Sequence, residues 1–405
     1  MKKTSSNARD ARPLIILAGA VILAVIFLAA VLLTTPAHPA DNQNFAILVG
    51  AIYNLNGTQS ALDIPSAHGA ELAVQEINER GGIDGRPVRL ILYDGQTHTS
   101  RISEMAARLI HQDHVTAIIG MSDSDMVLPA AQTAAASGTV FITSGATSPL
   151  LSHEVPNYLF LACFGDNTQA AAGAEYARNE LDARTAFLVT DDSMQYARLL
   201  SHYFTQRFTV IGGTIAGNIS YAGGSIDYSA PVEAIKKLTP QPDLIYLSCG
   251  PDDCGPLAHA IRNAGITAPV MGGDSFDTPG SAAAVAADGG VVYYTTHADI
   301  SSSSADPAMP AFIDRYERAF GQKPTAFSGL GYDTVNILAQ ALHNSAGTGD
   351  LEQGLYAIDG YDGITGTVSY RNHSPIPVKS VTLMKIDKGI VQSLGERLPA
   401  AVPDP

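Results

Sequence analysis

The chain has 405 residues, more than one hydrophobic core usually serves, so two domains are expected. With 46% hydrophobic and 16% charged residues it has ample apolar surface to bury, which excludes a largely disordered protein. The formal net charge of -15 is spread along the chain rather than gathered in a tail, which sets long-range electrostatics against a nucleic-acid partner.

Residues 1–40 form a segment of their own. Lys2, Lys3, Arg9 and Arg12 precede an uncharged apolar run from Leu14 to Leu33, and Thr34-Thr35-Pro36-Ala37-His38-Pro39-Ala40 follows, the pattern of an export signal. An apolar run of about 20 residues just spans a bilayer. Cleavage near Asp41, after the small residues Ala37 and Ala40, and retention as a signal anchor both remain open. No cysteine lies near the end of the run, so a lipoprotein anchor of the usual kind is not expected.

Beyond it, strand-like and helix-like patterns alternate. The apolar run Phe45 to Ala51 predicts a buried parallel strand, Asn54 to Gln59 a polar loop, and the spacing from Pro65 to Ile77 a helix stopped at Gly81-Gly82. Strands are predicted at Val88–Tyr93, Ala117–Gly120 and Val140–Ile142, with helices at Ser100–His111 and Leu128–Ser137 between them. After Phe164 a second series begins with a helix at Asn167–Leu181, a strand at Thr185–Val189 and a helix at Ser193–Gln206. Strands at Thr209–Ile215, Leu244–Ser248, Val270–Gly272 and Val291–Thr296 follow, with helices from Ser229 and Pro256. The serine run 301–304 reads as a surface loop, then come helices at Pro307–Phe320 and Phe327–His343 and a strand at Ser380–Ile386. Two doubly wound α/β lobes are implied, and ligands of such sheets sit beyond the carboxyl ends of the strands. The loops after Tyr53, Gly120 and Thr143 are therefore the first candidates for a site.

Cys249 and Cys254 bracket a turn-rich Gly-Pro-Asp-Asp stretch, and a local disulfide and a pair of thiols are both open there; Cys163 is left single. The chain carries no Gly-rich phosphate loop, His-Glu-x-x-His pair or Cys-x-x-Cys pair, so no metal or cofactor is expected. Gly273-Asp274-Ser275 resembles one esterase nucleophile block, but the Asp-x-x-His that supplies its base occurs nowhere, and no catalytic residue is assigned.

Several stretches together carry a family resemblance from about Phe45 to about Ile386. They are Gly69 to Val74, Ile77-Asn78-Glu79-Arg80-Gly81-Gly82-Ile83, Tyr93-Asp94, Ile118-Ile119-Gly120, Ser144-Gly145-Ala146-Thr147-Ser148-Pro149 and Gly363 to Val368. The sequence resembles the leucine/isoleucine/valine-binding proteins, the type I periplasmic binding proteins of branched-chain amino acid ABC transporters. That resemblance implies a ligand cleft between two lobes joined by three crossovers, lobe 1 being 44–163 plus 294–377 and lobe 2 being 164–293 plus 378–397. It implies a monomer that binds an amino acid or similar small solute by hinge closure and docks a membrane permease; a signal-anchored sensor ectodomain of the same fold is the alternative.

The resemblance also implies roles. Ser124 would receive the ligand carboxylate through its hydroxyl and N–H. Thr147 would hold the carboxylate with its N–H and the ammonium with its hydroxyl, and the Gly145 carbonyl would accept from the ammonium. From lobe 2, Tyr196 would close over the carboxylate and Asp274 would neutralise the ammonium. Leu62 stands where leucine-binding relatives place a covering aromatic, and Gly250 and Pro251 where the facing aromatics stand. The side-chain pocket is therefore expected to be larger or more polar than theirs.

Overall fold

The computed structural model describes residues 46–405 apart from 226, 288 and 289. The apolar run Leu14–Leu33 and its basic flank lie outside the described residues. Among the described residues no helix is long and apolar enough to cross a membrane.

The first sheet is wholly parallel, with strand order β2-β1-β3-β4-β5. Its strands are β1 (Ile47–Tyr53), β2 (Val88–Asp94), β3 (Ala117–Gly120), β4 (Phe141–Thr143) and β5 (Leu159–Leu161). Helices α1 (Ser60–Glu79), α2 (Thr99–His111), α3 (Ser124–Ala136) and the short α4 (Leu151–Glu154) make its crossovers. Because side chains alternate along a strand, β1 serves both faces. Val49, Ala51 and Tyr53 enter the core beneath α1, whereas Ile52 enters the core beneath α2 and α3.

The second sheet has the order β14-β13-β10-β9-β8-β6-β7. It contains β6 (Thr185–Asp191), β7 (Thr214–Tyr221), β8 (Leu244–Ser248), β9 (Val270–Gly272), β10 (Val291–Thr296), β13 (Val381–Asp387) and β14 (Ile390–Arg397). β6 to β10 run parallel to their neighbours, and β13 and β14 close the edge antiparallel. Helices α5 (Asp166–Asn179) and α6 (Gln195–Val210) cover one face. The other face is covered by α7 (Ser229–Lys236), α8 (Cys254–Asn263) and α9 (Pro279–Ala286), with Ala282 and Val285 of α9 reaching its core.

After β10 the chain returns through α10 (Met309–Phe320) to α11 (Ala326–Asn344) and α12 (Leu351–Tyr356), which complete the first lobe's core against α1. A two-stranded hairpin, β11 (Asp359–Gly363) and β12 (Gly366–Ser369), precedes the last passage into β13. The result is two doubly wound lobes joined by three crossovers. β10 stays in the second sheet through Thr296, so the expected boundary between 293 and 294 falls inside a strand.

Several local expectations shift. The first helix begins at Ser60 rather than Pro65, which stands in its second turn. Thr209 and Val210 belong to α6, and the predicted strand starts only at Thr214, after Gly212 at φ 85° turns the chain. Cys249 and Cys254 are joined in a disulfide with Cα atoms 5.5 Å apart, and Cys163 is free and buried.

The tightest contact in lobe 1 is between α1 and α11. A methyl on Gly331 would lie 1.8 Å from the Ser66 carbonyl, and one on Gly69 1.9 Å from that of Ser328. Gly331→Ala is therefore expected to cost about 1–3 kcal/mol in denaturant unfolding by forcing the helices apart. Gly347→Ala, whose methyl meets open space, should stay within about 0.5 kcal/mol of the parent.

Candidate functional site

Beyond the carboxyl ends of the two sheets, loops of lobe 1 meet lobe 2 through the bonds from the Asp166 N–H to Thr147 and from the Gln195 N–H to Asp125. β3 ends at Gly120, whose φ of 137° brings it against the Ile52 carbonyl, where a Cβ would stand 1.9 Å from the oxygen. Met121 follows in the left-handed region at φ 59°, a strained conformation for a residue with a side chain. The Met121 carbonyl accepts from the Thr143 hydroxyl at 2.9 Å and from the Gly145 N–H at 3.1 Å, so this loop and the one after β4 are tied together.

Ser124 is buried as the first residue of α3, and its hydroxyl accepts from the Ser148 N–H at 3.2 Å. The helix cap is its neighbour Asp123, whose carboxylate accepts from the Met126 N–H at 3.0 Å. Thr147 is buried and its carbonyl accepts from the Asp166 N–H at 2.7 Å, which joins the β4 loop to the start of α5. Gly145 lies where a Cβ would press on Ser122 and Phe327. Leu62 packs with Leu161, Cys163, Phe327 and Leu330 as a small apolar wall beside these loops. In lobe 2, Met194 lies where a Cβ on Gly250 would touch its sulfur.

In lobe 2, Tyr196 on α6 and Asp274 just past β9 are bonded to each other, the phenol donating to the carboxylate at 2.7 Å. The tyrosine expected over a ligand carboxylate is thus committed to the expected ammonium partner. Sequence reasoning missed the third member, His297, which directly follows β10 and whose Nε2 lies 2.9 Å from the other Asp274 oxygen. Burial works to raise the Asp274 pKa, but the bond and charge of His297, then Gln169 and Tyr196, outweigh it and hold the carboxyl below its ordinary range. Burial lowers the His297 pKa and Asp274 opposes the shift; facing an ionised carboxylate, Nε2 is the ring nitrogen that carries the shared proton. Its ring stacks on Phe164 at 4.2 Å and meets Phe327 edge-on at 5.7 Å. The lone sequence signal for His297 was its place at the carboxyl end of a strand.

The third crossover brings Lys379, also buried, whose ammonium donates to the Thr365 hydroxyl and to the Ala162 carbonyl. Thr365 in turn donates to Asp333 through its N–H and hydroxyl. Each crossover therefore carries a buried polar or aromatic group: Phe164, His297 and Lys379.

The lobes touch directly. The Gln195 N–H at the start of α6 donates to the Asp125 carboxylate at the start of α3, at 2.8 Å, so the cleft is closed. Inside it the hydroxyl of Ser148 has no hydrogen-bond partner among the described residues, and Asp166 beside Thr147 and Gln169 beside Asp274 have none of strict geometry. Such groups are costly to bury unless something polar answers them. Among the described residues no three His, Cys, Asp or Glu side chains are grouped to hold a metal ion.

Two further carboxyls sit on the lobe 1 side. Asp63 accepts from the N–H and the amide of Asn54, each at 2.8 Å, yet burial pushes its pKa up to about 6. Burial, joined by the charges of Asp125 and Asp63, pushes Asp123 up to about 7. Unfolded, Asp123 loses its proton near the ordinary aspartate value of 3.8, so between that pH and about 7 the folded state binds the extra proton. Its contribution to stability is therefore present below that window and falls as pH rises through it. Asp123→Asn keeps a capping side chain and should be level with the parent at pH 4 but more stable by roughly 1–3 kcal/mol at pH 7.5. Paired denaturant titrations at the two pH values check this, and an advantage that shrinks as pH rises would contradict it.

The family follows from comparison with known proteins. Residues 46–390 match the family of periplasmic binding proteins. The chain is 27% identical over 348 residues to the Leu/Ile/Val-binding protein BraC3 of Rhizobium johnstonii, covering 85% of this chain and 92% of that protein. It is 25% identical over 311 residues to an amino acid binding protein of Pseudomonas aeruginosa, covering 75% and 80% respectively. Among solved structures, the branched-chain amino acid transporter substrate-binding protein LivJ of Streptococcus pneumoniae, in complex with isoleucine, superposes with a TM-score of 0.79 at 25% identity, covering 88% of this chain and all of that one. With the two-lobed fold, three crossovers and closed polar cleft, this match over most of its length makes the chain a member of the periplasmic binding protein family.

Proposed function

We propose that the chain is the extracytoplasmic solute-binding protein of an ABC transporter of the branched-chain amino acid type, and that it closes around an α-amino acid or a similar small solute. The observation that carries this reading is the convergence, in a closed cleft, of buried polar groups from the carboxyl ends of both sheets. Relatives named for amino acid binding, and LivJ with isoleucine bound, support the ligand class.

In this reading Ser124, by hydroxyl and N–H, and Thr147, by N–H, take the carboxylate. The Gly145 carbonyl, the Thr147 hydroxyl and Asp274 take the ammonium. Tyr196 and His297 hold Asp274 in place rather than touching the carboxylate, and Leu62 with Phe327 forms part of the side-chain wall. Lobe 1 comprises 46–163 and 297–377, and lobe 2 comprises 164–296 and 378–397. The ligand stabilises the closed form only by its differential affinity for it. Export by the segment Leu14–Leu33, action as a monomer and docking of the closed form on a membrane permease complete the proposal.

Thermal unfolding against a panel of α-amino acids and of short carboxylates lacking the amine tests it. A ligand at ~100 times its dissociation constant stabilises by about 2.7 kcal/mol, a clear rise in melting temperature. Ser124→Ala should reduce that rise without changing the melting temperature of the ligand-free protein by more than a few degrees. A response confined to the amine-free solutes would reject the amino acid assignment.

A further inference from the structure

The first turn of α5 lies immediately past the first crossover, and two of its residues, Asp166 and Gln169, are fully buried. Three positions apart, they are neighbours on one side of the helix. Asp166 meets lobe 1: its N–H donates to the Thr147 carbonyl at 2.7 Å, and its carboxyl lies beside the Thr147 hydroxyl. Gln169 meets lobe 2, where its amide bonds Asp274 and where a Cβ on Gly273 would stand 3.2 Å from its oxygen. Thr147 and Asp274 are the side chains that take the solute's ammonium in the reading above. A single helical turn therefore touches both of them, one in each lobe.

A hydroxyl serves an ammonium only through its lone pairs, because an ammonium donates and never accepts, so the hydroxyl's own proton has to be spent elsewhere. Asp166 is the group placed to receive it. Burial pushes the Asp166 pKa well above the usual carboxylate range, the Thr147 hydroxyl pulls it back, and the charges of Asp274 and Asp123 push it up again. A hydroxyl that lowers the pKa of a carboxyl does so by donating to it. Even in its neutral form a carboxyl keeps a carbonyl oxygen that accepts. The backbone bond between the same two residues holds the carboxyl and the hydroxyl side by side.

Resting on the α-amino acid reading above, we propose that Asp166 is a positioning residue of the ammonium subsite: it takes the proton of the Thr147 hydroxyl, so that this hydroxyl presents its lone pairs to the solute. Asp166 acts through Thr147 and does not touch the solute itself. Gln169 steadies Asp274 from the same helical turn, joining Tyr196 and His297 on that carboxylate. Because Asp166 belongs to lobe 2 and Thr147 to lobe 1, the direction of the lobe 1 acceptor is set from across the first crossover.

Calorimetric titration with alanine, isoleucine, asparagine and lysine identifies the tightest binder among them. That solute is then titrated into the parent, Asp166→Ala, Thr147→Val and the double variant, with circular dichroism confirming that each is folded. Asp166→Ala should weaken binding about tenfold when Thr147 is present. In the Thr147→Val background the same change should cost less than about twofold, because two changes that act through one hydroxyl do not add. Asp166→Asn, which keeps a carbonyl acceptor, should retain most of the affinity. Equal losses in the two backgrounds, or no loss from Asp166→Ala, overturn the proposal and leave the amino acid receptor reading intact. Should Asp166→Ala not fold, Asp166→Asn decides the matter: retained affinity upholds the proposal and a loss of about tenfold overturns it. No binding of any of the four solutes overturns both readings.

Discussion

A carboxylate removed from water has to be held by donors, and the contact between Asp274 and His297 is where this protein meets that requirement at the place its lobes join. His297 directly follows the last parallel strand of lobe 2, at the point where the chain leaves for lobe 1. Its imidazole is clamped between Phe164 of the first crossover and Phe327 of lobe 1, so the ring cannot turn without disturbing both. Through Nε2 it fixes one oxygen of Asp274, and Tyr196 fixes the other. The orientation of the lobe 2 carboxylate is thereby set by the hinge itself.

The same logic explains why the polar groups of the cleft come from loops rather than from strands. Strand interiors are consumed by backbone pairing and by side chains that alternate into the two cores of each lobe. Only beyond the last paired residue, after Gly120, Thr143 and Gly272, are N–H and hydroxyl groups free to turn toward the other lobe. The strained Met121 and the close approach of Gly120 to Ile52 show how sharply the first of these loops must turn.

Much of this was legible in the sequence. The alternation of short apolar runs with helical spacing, broken by glycine pairs such as Gly81-Gly82, marks a doubly wound fold because each signal reports local burial. Loops at the carboxyl ends of Tyr53, Gly120 and Thr143 follow from topology. What could not be read depends on contacts distant in the chain. Leu159–Leu161 is only three residues long and is a strand because β4 lies beside it. His297 is one histidine in a polar run until folding sets it against Asp274, 23 residues away. Asp166 and Gln169 look like the polar start of a surface helix, and only contacts with residues distant in the chain, Thr147 and Gly273, make them interior. Tyr196 and Asp274 were both placed in the site, but the bond between them was not foreseen.

The bond between the Asp125 carboxylate and the Gln195 N–H belongs to the protein alone, yet it spans the two lobes. It joins the first turns of two helices whose N-terminal dipoles face one another, so the carboxylate also screens a repulsion that closing would otherwise bring. Apparent affinity scales with the fraction of molecules already competent to hold solute, and a contact worth about 1 kcal/mol changes that fraction roughly fivefold. Sensitivity to scarce solute and silence in its absence are thus set against each other by one residue that need never touch the cargo. Variation at position 125 would retune the threshold of uptake while leaving its selectivity unchanged.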